Sequence, residues 1–130
     1  MKHTVTIFIV MMVLILTTLS FSRVEARSSA NEERVETRCG WFSNPTPGNA
    51  WLNDRHGEWL IGIQGGHQAE GDWPSFKDRD WVKTNGHYGY GCACMKVSVD
   101  HETTKVSRIF TASSRPLATC RRDRTLKEPK

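Results

Sequence analysis

The 130-residue chain predicts an all-β fold: one small antiparallel barrel or sandwich of about six or seven strands, stapled by two disulfides, behind a cleaved N-terminal signal helix. Three observations carry this. In Tyr88 to Asp100 the apolar residues Ala93, Met95, Val97 and Val99 recur at every second position, the period of a half-buried strand. Cys92 and Cys94 then share the opposite face with Lys96 and Ser98. Ten glycines and five prolines, all beyond the leader, punctuate the chain at intervals of about 8–12 residues, and no helical period persists between them.

The four cysteines constrain the topology. Alternate residues of an extended strand stand ~6.6 Å apart with parallel side chains, which disfavours a Cys92–Cys94 bond. Cys39 therefore bonds one member of the pair and Cys120 the other, so both ends of the domain are tied to one central strand. The sequence leaves both arrangements open. A four-thiolate zinc site is the competing use of four cysteines, but Cys-x-Cys with two isolated partners departs from the usual knuckle spacing.

Met1-Lys2-His3 opens a short positive region, Val5 to Leu19 is uncharged and mostly apolar, and Val24-Glu25-Ala26 supplies small residues for cleavage. The run is shorter than the ~20 residues that span a bilayer, so it reads as a signal peptide, residues 1–26, with no stable membrane insertion afterwards. Removing Lys2, Arg23 and Glu25 leaves 16 basic and 13 acidic residues, a net +3. That charge is too small and dispersed for nucleic acid binding. Export and an even cysteine count point to an oxidising compartment, periplasmic or secreted.

Residues 27–36 are polar and read as a flexible arm, with the β domain at 37–121 and a basic flexible tail at 122–130. Arg38 to Phe42 is a first strand, ended by the turn formers Ser43 to Asn49. Ala50 to Asn53 is a short second strand. Asp54-Arg55-His56-Gly57 turns into Glu58 to Gln64, where Trp59, Ile61 and Ile63 alternate. Gly65 to Lys77 breaks all periodicity and reads as a long loop, a common location for function. Trp81 to Thr84 precedes the tight-turn signal Asn85-Gly86. After the central strand, Lys105 to Thr111 forms a less regular, bulged strand, and Leu117 to Arg121 returns Cys120 to the centre.

All five tryptophans lie between Trp41 and Trp81. Most read as core filler in a domain too small for a generous aliphatic interior. Trp73, in the loop beside Asp72 and Pro74, is the best candidate for an exposed platform. His67, Gln68, Glu70, Asp72, Trp73 and His87 form the candidate binding set. His67, Glu70, Asp72 and His87 are also the residues a metal-dependent enzyme or hydrolase would use. His56 and His101 sit in turns and read as surface residues. No nucleophile motif, phosphate loop or dinucleotide fingerprint occurs, so no catalytic residue, metal or cofactor is assigned.

Arg38-Cys39-Gly40-Trp41-Phe42, Asn44-Pro45-Thr46-Pro47, Gly65 to Gly71 and Tyr88 to Cys94 together resemble the small exported bacterial proteins of domain of unknown function 4087. The resemblance covers roughly Thr37 to Arg121. It implies a bacterial envelope protein and transfers no role to any residue. The leading expectation is a monomeric binding or inhibitory module presenting Gly65–Pro74 to an unknown protein or envelope ligand. The alternatives are the small enzyme named above and a purely structural envelope protein.

Overall fold

The computed structural model describes residues 34–130. The expected signal peptide and residues 27–33 of the expected arm lie outside the described residues. Six strands follow in order: β1 (Arg34–Thr46), β2 (Asn49–Asp54), β3 (Gly57–Gly62), β4 (Trp81–Asn85), β5 (Tyr88–Asp100) and β6 (Lys105–Arg115). One short helix, α1 (Leu117–Arg122), comes after them.

The strands form a single sheet in the order β1-β2-β3-β6-β5-β4, and β1 pairs with β5 as well. β5 is therefore flanked along both edges. β1 runs antiparallel to it from Asn44 opposite Gly89 to Arg34 opposite Val99. On the other side β4 pairs with its first residues, Tyr88 to Gly91, and β6 with the remainder, Cys92 to Asp100. The β6 register shifts twice, between Lys96 and Val97 and between Ser98 and Val99, as the irregular apolar spacing of that strand predicts.

Alternation in β5 divides two packed regions. Ala93, Met95, Val97 and Val99 join Phe42, Leu52, Ile61, Val106 and Ile109 in the main core. On the other face Tyr90 and Cys92 pack with Trp41 and Cys120, under Val82, Leu117 and Leu126. The second region explains α1. A strand flanked on both edges and buried on both faces needs an outer cover, and the helix carrying Cys120 supplies it. The disulfides are Cys39–Cys94 and Cys92–Cys120, which resolves the two arrangements left open above.

Two expected boundaries change. Arg34 to Glu36, placed in a flexible arm, belong to β1 and pair with Val99 to Val97. The segment after α1, expected as a free tail, is tied down. Arg121 Nη2 donates to Glu128 at 2.8 Å, Tyr90 Oη donates to the same carboxylate at 3.1 Å, and Leu126 packs on the second core region.

Candidate functional site

The Gly65–Pro74 segment is not the free loop that its composition predicts. Ile63 N donates to His67 O at 2.8 Å and Ala69 N to Ile61 O at 2.9 Å, so the segment turns back along β3. Glu70 N then donates to Ser107 O at 2.9 Å, and Ile109 N to Glu70 O at 2.7 Å, which stitches the same residues to β6. β3 and β6 themselves meet in register only at Leu60 and Lys105, and residues 67–70 fill the gap beyond.

The side chains of the candidate set follow this role. His67 Nε2 lies 2.7 Å from Val106 O, and since a carbonyl only accepts, that nitrogen carries the proton. Gln68 Nε2 donates to Gly48 O at 2.8 Å and to Ile63 O at 3.0 Å. Glu70 accepts from Arg108 Nε at 2.9 Å. Gly71, with φ of 98°, is where the chain leaves β6, because a Cβ there would sit 2.2 Å from Ile109 O. Asp72 beyond it is exposed. Among the described residues no group of three or more His, Cys, Asp or Glu is placed to hold a metal ion. The four residues named for an enzyme do not converge.

Trp73 and His87 do meet, across a concavity of about 360 Å³ lined also by Phe42, Phe76 and Trp81. Phe42 anchors the rings: its centroid is 5.7 Å from that of Trp73 and 5.8 Å from that of Phe76. Phe76 and Trp81 are closer still, at 4.8 Å. Gly91 makes this possible, since a Cβ there would lie 2.5 Å from the Phe76 ring. Trp81 Nε1 donates to His87 O at 3.0 Å, fixing the indole. Asn44, Asp78, Lys83 and His87 add polar groups of both signs to this hollow. Trp73 is half-buried against Phe42, less open than the platform that its loop position predicts.

A second, charged hollow of about 440 Å³ is lined by Glu36, Arg38, His56, Trp59, His101 and Thr104. Arg38 is its centre. It is only 5% exposed, stacks 3.6 Å from the Trp59 centroid, and pairs with Asp54 at 2.6 Å and with Glu36. Asp54 also accepts from Trp59 Nε1 at 3.1 Å and from His56 N at 2.7 Å. Glu36 is shared with His101, whose Nε2 lies 2.6 Å away. That hydrogen bond, reinforced by the Arg38 charge, holds the Glu36 carboxyl below its ordinary value despite an opposing effect of burial.

Sequence reading missed this hollow because His56 and His101 both occupy turns. A usable signal was present in β1, where Arg38 shares a strand face with the core residue Phe42. A cation on a buried face requires a partner carboxylate.

The molecule is thus a small disulfide-bonded β domain with an aromatic hollow at one site and a charged one at another. It belongs to the family described as Protein of unknown function (DUF4087), whose model matches residues 33–127. The match takes in the start of β1 and most of the C-terminal segment, both of which the structure places in the fold. No curated protein and no solved structure matches the chain.

Proposed function

We propose that this protein is an exported binding module that engages its partner through the aromatic hollow of Trp73, Phe76, Trp81 and His87. The observation that carries this reading is the convergence of those rings around an open concavity bordered by Asn44, Asp78 and Lys83. Such a hollow suits an apolar or ring-bearing group from an envelope component or a foreign protein, with polar atoms at its margin to orient it. Occupying a hydrolase in this way would make the module inhibitory. Two disulfides in so small a domain accord with an oxidising, extracytoplasmic location.

The segment Gly65–Gly71 serves as scaffold in this reading, and contact falls to Trp73, which it delivers to the hollow. The hydrolase alternative gains no support: His67 Nε2 is engaged by Val106 O and Glu70 Oε2 by Arg108, and among the described residues no three His, Cys, Asp or Glu gather to hold a metal ion.

Capture from periplasmic extract with wild-type protein, Trp73→Ala and the exposed variant Phe110→Ala, which lies outside the lining of the hollow, tests the proposal. A partner retained by wild type and Phe110→Ala but lost from Trp73→Ala supports it. A partner bound equally by all three assigns contact elsewhere. Absence of any specific partner favours a structural role.

A further inference from the structure

The two disulfides occupy opposite environments. Cys92 and Cys120 are each 2% exposed and lie under Trp41, Tyr90, Leu117 and Leu126. Cys39 is exposed and Cys94 half-buried. These two stand directly opposite each other in the β1–β5 ladder, with Cα atoms 4.0 Å apart. The backbone ladder extends on both sides of them, from Arg34 to Asn44, so the strands are already paired without the bond.

That bond has a local role. In strand pairing β2 joins β1 only from Trp41 onward, so among the described residues Arg34 to Gly40 has β5 as its sole paired strand, with the Arg38–Asp54 ion pair as a side-chain tie to β2. Cys39–Cys94 is the covalent clasp on this one-sided stretch, which also carries Glu36 and Arg38 into the charged hollow. Lys96, exposed and two residues from Cys94, stands on the same strand face ~6.6 Å along. Its ammonium favours a thiolate nearby.

We infer that Cys39–Cys94 is a thiol-exchange site, opened by an external dithiol while Cys92–Cys120 stays closed, and that opening it loosens Arg34–Gly40. One thiolate of the dithiol attacks Cys39 Sγ, forming a mixed disulfide. The electron pair of the broken bond leaves on Cys94 Sγ, beside Lys96, and is protonated by water. The second thiolate of the dithiol attacks its own sulfur in the mixed disulfide, closing the reductant's ring and releasing Cys39 as a thiolate. Two electrons pass from the dithiol to the protein. Exposed disulfides react in this way more readily than buried ones because the attacking thiolate must reach a sulfur.

The test is titration of the oxidised protein with dithiothreitol under native conditions, followed by alkylation, peptide mass mapping and hydrogen exchange. Cys39 and Cys94 should label at dithiol concentrations at least about tenfold below those that label Cys92 and Cys120. Exchange should rise in Arg34–Gly40 and stay unchanged in β2 and β3. Simultaneous opening of both bonds, prior opening of Cys92–Cys120, or exchange rising throughout the sheet would overturn the inference. The double variant Cys39→Ser/Cys94→Ser should fold with native far-ultraviolet dichroism and show the same local rise in exchange. Its failure to fold would equally refute a bond that the ladder can do without.

Discussion

The Arg38 guanidinium lies 3.6 Å from the centroid of the Trp59 indole, and its Nη1 lies 2.6 Å from Asp54 Oδ2. Both charged side chains are almost fully withdrawn from water, at 5% and 3% exposure. Replacing Arg38 by Leu leaves Asp54 buried without its countercharge, a loss of ~3–5 kcal/mol, more than the ~0.5–2 kcal/mol of a cation–π contact alone. Urea unfolding followed by tryptophan fluorescence should show this, with Arg38→Lys falling between Leu and wild type. A loss below ~1 kcal/mol would mean that Asp54 finds water instead.

Acid should weaken the contacts of Glu36. Its folded pKa lies below the ordinary 4.5, so its contribution is present above that pH and drains away as pH falls through the depressed folded value. Glu36→Gln should be less stable than wild type near neutrality, and the gap should close on acidification. A gap that stays constant from neutrality to pH ~3 would show that the His101 and Arg38 contacts carry no proton linkage.

Gly71→Ala should detach the Glu70 segment from β6. The added Cβ meets Ile109 O at 2.2 Å in a backbone region, φ of 98°, that side chains avoid. Positive-φ strain alone costs ~1–3 kcal/mol, and the collision adds to it. Amide exchange at Ile109 should accelerate well before exchange in β5. Protection of Ile109 equal to wild type would contradict the assigned role of Gly71.

Tyr90 reports on the C-terminal segment. Burial first, and donation to the Glu128 carboxylate second, push its phenol above the ordinary 10.0. Glu128→Ala should lower the midpoint of an ultraviolet pH titration while leaving it above the ordinary value, because burial persists. The raised folded pKa also means that stability declines as pH rises above about 10 and stops declining past the folded midpoint. An unchanged midpoint in Glu128→Ala would show that the segment is not seated on Tyr90.

How much of this was legible depends on range. The alternation of Ala93, Met95, Val97 and Val99 is a local signal, and β5 emerges where it predicts. The exclusion of a Cys92–Cys94 bond rests on backbone geometry alone, and the structure agrees. The choice of Cys94 for Cys39 depends on the β1–β5 register, which no side chain in the sequence declares. The stitching of His67 to Glu70 uses backbone atoms that every residue possesses, so composition could register only a loop. The charged hollow joins Glu36 to His101 across 65 residues, and each looks like surface where it stands. Trp73 and His87 line one hollow with Phe76 and Trp81, a grouping that depends on tertiary packing and not on their nearness in sequence to Asp72 or Tyr88.

The position of β5 between the first strand and the last governs how the molecule can come into being. A chain growing from its N-terminus holds β1 without its longest partner until Val99 exists, and β5 lacks a full second neighbour until Arg115 does. Assembly must therefore arrive late and nearly all at once, at the slow pace that distant strand pairings impose. Fragments that stop short of β6 should remain unfolded and open to proteases, not smaller folded units.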